Sequence, residues 1–121
     1  MESAVKNFIR SELFKSSSVM DAMSRDEGMH DVLEKIAVTI VASLREGGKV
    51  LFAGNGGSAA DAQHLAGEFV SRFYYDRPGL PAVAVTTDTS ILTAIGNDYG
   101  YQKLFERQVQ ALGRAGDVFV G

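Results

Sequence analysis

Cysteine is absent, which excludes both a disulfide framework and a thiolate metal site. No apolar run approaches the roughly 20 residues that a membrane-crossing helix needs, so no membrane partner is expected. Positive charge is not in excess. Lys and Arg number 12 against 15 Asp and Glu, a net charge of −3, which argues against a nucleic-acid surface and leaves room only for a local basic patch. Repeats and low-complexity segments are missing. The N-terminal stretch MESAVKNFIRSELFKSSS scatters its charges and has no apolar core, so it does not read as a signal peptide, and a cytoplasmic location is expected. What is present is 121 residues of ordinary globular composition, enough for one small domain with a real core.

The organising stretch is KVLFAGNGGSAADAQHLAGEFVSRF, from Lys49 to Phe73. Val50, Leu51, Phe52 and Ala53 form a short apolar run suited to a central strand of a parallel sheet. Gly54, Asn55, Gly56 and Gly57 suit a turn with positive φ and close backbone approach. Ser58 is the expected N-cap of a following helix, with Asp61 as an acid in its first turn. The N–H groups at such a helix start favour a phosphate, carboxylate or sugar oxygen.

Two amphipathic helices precede this stretch. The first runs from Val5 to about Ser24, with Phe8, Ile9, Leu13, Phe14, Met20 and Met23 at three- and four-residue spacing, and the poor helix formers Ser16–Ser18 leave room for a break or bend. The second runs from Gly28 or Met29 to Glu46 and stops at Gly47 and Gly48. His30 reads as exposed or capping rather than as a ligand. After the glycine-loop helix, Asp76 to Gly79 signal a turn and Pro81 leads into a strand at Ala82–Val85. Asp88 or Thr89 is placed to cap a short helix, Ser90–Ile95. Gly96–Gly100 reads as a turn, and a helix is expected over Tyr101–Leu112 with Leu104, Phe105, Val109 and Leu112 on one face. Asp117–Val120 reads as a last, buried strand. Strands alternating with helices imply an α/β fold: a parallel sheet flanked by helices on both faces, a three-layer sandwich of the flavodoxin or Rossmann kind. Ligands in such sheets sit outside the carboxyl ends of the strands, where the glycine loop and Thr86–Ser90 lie.

Two groups of residues could carry chemistry. Gly54, Gly56 and Ala59 form the G-x-G-x-x-A variant of the dinucleotide pattern, but the acid expected about 20 residues on is displaced to Asp88, so the match is weak. Ligand binding and a plain strand–helix turn both remain open for this loop. On the helix behind it, Asp61, His64, Glu68 and Arg72 share one face. His64 and Glu68 can both reach one metal ion or one substrate, and their donor types suit zinc. The alternative is a salt-bridge ladder, with Glu68 paired to Arg72.

The segments AGNGGSAADAQHLAGEF, RPGLPAVAVTTDTS and IGNDYG together resemble the sugar isomerase (SIS) domain and, more closely, the phosphoheptose isomerase family. The resemblance covers nearly the whole chain and is densest from Lys49 to Leu112. It implies a SIS-type sheet and an aldose–ketose isomerase that converts sedoheptulose 7-phosphate to D-glycero-D-manno-heptose 7-phosphate through an enediol, in heptose biosynthesis for lipopolysaccharide. By the same resemblance Asn55, Gly56, Gly57 and Ser58 contact the sugar phosphate, and Asn97 and Asp98 bind the sugar chain. Glu68 is the catalytic base and, with His64, a zinc ligand, one ion per subunit. Arg72 holds position near the acidic residues. The family's homotetramers place the N-terminal helices between subunits, which assigns residues 1–46 to oligomerisation and 47–121 to the start of the α/β sheet of a single SIS domain.

The family's serine- and threonine-rich phosphate loop and its later Gln- and His-bearing helix have no counterpart here. The expectation is therefore a chain truncated at its C-terminus, with isomerase activity belonging to a longer protein. A second reading is a non-catalytic SIS-domain protein that binds a replication initiator. Relatives of that kind lack a carboxylate at the position of Glu68. A third, a sugar-phosphate-sensing regulatory domain, is disfavoured because no second domain accompanies it.

Overall fold

The computed structural model describes residues 2–121. Five α-helices and three strands follow one another as α1 Glu2–Ser24, α2 Glu27–Arg45, β1 Val50–Phe52, α3 Gly57–Val70, β2 Ala82–Ala84, α4 Thr89–Tyr99, a 3₁₀ turn Tyr101–Lys103, α5 Leu104–Leu112 and β3 Val118–Val120. The chain divides into two compact units, one ending at Ala37 and the other spanning Val38–Gly121.

In the first unit, α1 continues through Ser16–Ser18 without the break or bend that these serines allow. The three hydroxyls bond back to the carbonyls of Glu12 and Phe14 at 2.8–3.3 Å, so they satisfy themselves on the helix instead of competing with it. Phe8, Leu13, Phe14 and Met20 are all more than half exposed. Asp26 caps α2 by accepting the Met29 N–H at 3.0 Å. His30 Nε2 lies 2.9 Å from the Met23 carbonyl near the end of α1, the capping role expected of it.

The second unit is a parallel three-stranded sheet in the order β2-β1-β3. Val50, Leu51 and Phe52 pair with Ala82, Val83 and Ala84 on one side and with Val118, Phe119 and Val120 on the other. The apolar run of β1 is explained by this central place, since both of its faces are covered. Val50 and Phe52 face Ala62 and Ala66 of α3, with Ile40 and Leu44 of α2 beside them. Phe52 and Phe69 meet edge to face at 5.6 Å. On the other face, Leu51, Ala53 and Val85 pack against Phe105 and Val109 of α5. Helices therefore cover both faces, as the alternation of elements predicts.

Several boundaries differ from expectation. Gly96–Gly100 is not a turn: Gly96, Asn97, Asp98 and Tyr99 complete α4, and the chain turns only at Gly100, with φ of 91°. Asp88 anchors this helix by accepting the Ile91 N–H at 2.9 Å, and Ile95 is buried, so capping and packing outweigh the weak helix propensity of Gly and Asn. The expected helix over Tyr101–Leu112 opens as a 3₁₀ turn, and its buried face carries Gln108 rather than Leu112, which is 43% exposed. The Gln108 amide donates to the carbonyls of Val85 and Leu104, both at 3.0 Å, so its burial leaves no donor unpaired. β3 was expected to be buried, yet it is an outer strand of this sheet and Phe119 is 49% exposed.

Candidate functional site

β1 leads straight into the glycine loop. A Cβ on Gly54 would lie 2.3 Å from the Ser58 carbonyl oxygen, so only glycine fits where the chain folds back under the start of α3. Gly56 has φ of 58° and is itself the N-cap of α3. Ser58 is therefore not the N-cap. It lies in the first turn, where its hydroxyl accepts the Asn55 N–H at 2.8 Å and donates to the Asn55 carbonyl at 2.9 Å. With the helix beginning at Gly57, Asp61 falls beyond the first turn. The Asn55 side chain receives the Tyr101 hydroxyl through its Oδ1.

This loop forms one wall of a cavity of about 410 Å³, lined by Asn55, Gly56, Thr86, Thr93 and Tyr101 among others. Among the described residues no charged one lines it. Thr86 Oγ1 is buried there without a hydrogen-bond partner among the described residues. Neither Asn97 nor Asp98 lines this cavity. They sit in the last turn of α4, with Asn97 Nδ2 donating to Asp98 Oδ1 at 3.2 Å.

His64 and Glu68 lie elsewhere. They line a second cavity of about 430 Å³ with Leu65, Phe69, Phe73, Arg77 and Leu80. His64 Nε2 is 3.3 Å from Glu68 Oε1, with the imidazole largely exposed and the carboxylate 31% exposed. The spacing of one helical turn thus brings a nitrogen and a carboxylate donor together, as the shared face predicts. The alternative ladder does not continue to Arg72, because α3 ends at Val70 and Arg72 lies beyond its cap at Ser71. The cation that does reach this end of α3 is Arg77. Its guanidinium donates to the carbonyls of Glu68 and Phe69, both at 2.8 Å, and to that of Pro78 at 3.1 Å. Among the described residues no three His, Cys, Asp or Glu side chains converge as a metal centre.

The predicted residues therefore fall in separate places: Asn55, Gly56, Gly57 and Ser58 on the loop, His64 and Glu68 on α3, Asn97 and Asp98 at the end of α4, and Arg72 past α3. Topology adds one relation. The chain passes from β1 to β2 on one side and returns to β3 on the other, so the order reverses between β1 and β3. That reversal is where ligands enter such sheets. The Ala53 N–H donates to the Val120 carbonyl at 2.9 Å, so the glycine loop starts at the carboxyl end of this strand pair. Tyr101 and Arg77 were not singled out from sequence, whereas Thr86 opens the Thr86–Ser90 segment placed at the carboxyl ends of the strands. Arg77 stands just past a helix whose last carbonyls need donors, which is a usable signal. Tyr101 had none, since its bond spans 46 residues.

The comparison with known proteins is decisive for the family. The SIS domain matches residues 14–121. The chain belongs to the SIS domain family. A phosphoheptose isomerase of Burkholderia pseudomallei (strain 1710b) is 64% identical over 121 residues, all of this chain and 61% of that protein. A phosphoheptose isomerase of Aneurinibacillus thermoaerophilus is 57% identical over 117 residues, 97% of this chain and 59% of that protein. The structure of phosphoheptose isomerase GmhA from Neisseria gonorrhoeae superposes with a TM-score of 0.87 at 43% identity, covering 97% of this chain and 59% of that one. This SIS chain thus spans about 60% of the length of the curated relatives it matches. The parallel sheet with helices on both faces is the fold of the SIS family, as the sequence resemblance implied.

Proposed function

We propose that the protein containing this chain is a phosphoheptose isomerase that interconverts sedoheptulose 7-phosphate and D-glycero-D-manno-heptose 7-phosphate. The observation that carries the reading is the pairing of Glu68 with His64 at 3.3 Å on α3, the helix that follows the glycine loop. An aldose–ketose isomerisation moves a proton between two adjacent carbons. A base takes a proton from C1 of the ketose, the electron pair forms the enediol, and the proton is delivered to C2 while the hydroxyl proton passes from O1 to O2. A carboxylate within hydrogen-bond reach of both carbons suits that shuttle, and Glu68 fills the role.

The loop residues Asn55, Gly56 and Gly57 supply amide groups for sugar and phosphate oxygens, with Ser58 beside them, and Asn97 and Asp98 serve the sugar chain. Arg72 is placed near these acids only by family resemblance. His64 and Glu68 fit two of the four positions of a zinc site, and the remaining donors would come from outside this segment. A bound ion would polarise the substrate carbonyl. The exposed apolar stripe of α1 supports assembly of this protein into an oligomer, the homotetramer of the family. A cytoplasmic location accords with soluble sugar-phosphate chemistry, and no described helix is long and apolar enough to cross a membrane. No observation favours the replication-initiator reading, and Glu68 stands where that class lacks a carboxylate.

The test is Glu68→Gln in the intact protein. Turnover of sedoheptulose 7-phosphate should fall by about 10²–10⁴-fold, the usual worth of a general base, with the thermal unfolding transition unchanged. Undiminished turnover would remove Glu68 from the mechanism.

A further inference from the structure

Every polar group of Asn55 but one is already engaged. Its backbone N–H donates to Ser58 Oγ at 2.8 Å, and its carbonyl accepts from the Ser58 hydroxyl at 2.9 Å and from the Ser58 N–H at 3.1 Å. Its side-chain Oδ1 accepts from the Tyr101 hydroxyl. What is left is the Nδ2 amino group, which has no hydrogen-bond partner among the described residues. A carboxamide has two faces of opposite character, and it turns easily unless a neighbour selects one. A phenol that donates to Oδ1 selects the orientation in which both N–H donors point away from Tyr101. Tyr101 comes from the 3₁₀ turn between α4 and α5, so the selection is imposed from across the cavity rather than from within the loop.

We propose that Tyr101 is a positioning residue for the glycine loop: its hydroxyl fixes the Asn55 carboxamide so that Nδ2 presents two N–H donors to an oxygen-rich ligand, the phosphate or hydroxyls of a sugar phosphate. The ligand class rests on the isomerase reading above, whereas the orienting bond does not. The two are therefore tested separately. An amino group held in one orientation costs the ligand less ordering entropy than one that must be captured from two. Removing the phenol hydroxyl lowers affinity without touching the proton-transferring group.

The first arm is independent of turnover. In ¹⁵N-labelled protein the Asn55 side-chain NH₂ resonances, identified by their loss in Asn55→Ala, should shift and exchange faster with water in Tyr101→Phe. Unmoved resonances would overturn the orienting bond. The second arm measures sedoheptulose 7-phosphate kinetics in Tyr101→Phe, Asn55→Ala and the double variant. Tyr101→Phe should raise KM about fivefold, the worth of one hydrogen bond of ordinary strength, with a smaller fall in kcat. In the Asn55→Ala background the same change should add nothing, because Tyr101 acts through Asn55. A full penalty persisting in that background would overturn the proposal and assign Tyr101 a general packing role. Should the unsubstituted intact protein fail to turn the sugar over, the isomerase reading falls, and the resonance measurement alone still decides whether Tyr101 orients Asn55.

Discussion

At Gly54 a single hydrogen separates a formed loop from a blocked one. The Cβ of any other residue would meet the Ser58 carbonyl at 2.3 Å, which is backbone and can yield only by moving the start of α3. Gly54→Ala should therefore destabilise the fold by about 1–3 kcal/mol, the cost of overpacking, and displace the loop that holds Asn55. Chemical denaturation, together with the amide shifts of residues 54–60, would measure both effects. A substitution with neither effect would show that the loop adapts. That glycine was needed here was legible, because four turn residues follow a buried run. The reason was not: Gly54 tolerates no Cβ, Gly56 requires positive φ, and Ser58, which by type alone is a good cap, instead locks the backbone of Asn55.

Among the elements, α3 is the one that depends most on a residue outside itself. Its last turn carries Glu68, and Arg77 holds that turn by donating to the carbonyls of Glu68 and Phe69. A cation at a helix C-terminus is favourable both as a donor to orphan carbonyls and as a charge on the macrodipole. Arg77→Ala should cost about 2 kcal/mol, as expected for charge-assisted bonds, seen as a lower urea midpoint at unchanged slope. It should also fray the end of α3 that presents Glu68, which amide exchange of Glu68–Ser71 would report. An unchanged midpoint would mean that water replaces the guanidinium without loss. The existence and order of all the helices and strands were readable from periodicity and glycine punctuation. Boundaries were not readable where capping and burial overrode propensity, as at Gly96–Tyr99, or where hydroxyls bonded back to the helix, as at Ser16–Ser18.

For the molecule as a whole, one long-range clip ties the amino ends of β1 and β3. Asp117 accepts the Lys49 ammonium at 2.5 Å, the Lys49 N–H at 2.9 Å and the Arg114 N–H at 2.7 Å, and its carboxylate is 8% exposed. These donors, the Lys49 side chain foremost, favour the ionised form and lower its pKa from 3.8 to about 2. A carboxyl whose pKa is depressed by folding stabilises the fold above its unfolded value of 3.8, and the contribution is lost as pH falls toward about 2. Stability measured across that window should decline less steeply in Asp117→Asn, which already lacks the charge at neutral pH. Parallel profiles for the two proteins would place the acid sensitivity at other carboxylates.

The sequence by itself determined the family, the α/β class, the central place of β1 and the pairing of His64 with Glu68. The family rests on the resemblance of three motif segments, and the others on local spacing: an apolar run, strands alternating with helices, an i, i+4 step. Only the tertiary structure decided that the glycine loop and the His64–Glu68 pair open onto different cavities, that Arg77 rather than Arg72 holds the end of α3, and that Tyr101 reaches Asn55. Those relations join residues carried on different elements or beyond a helix end. The crossovers that bring them together are chosen by burial of the sheet faces, which leaves no trace in the spacing of the residues themselves.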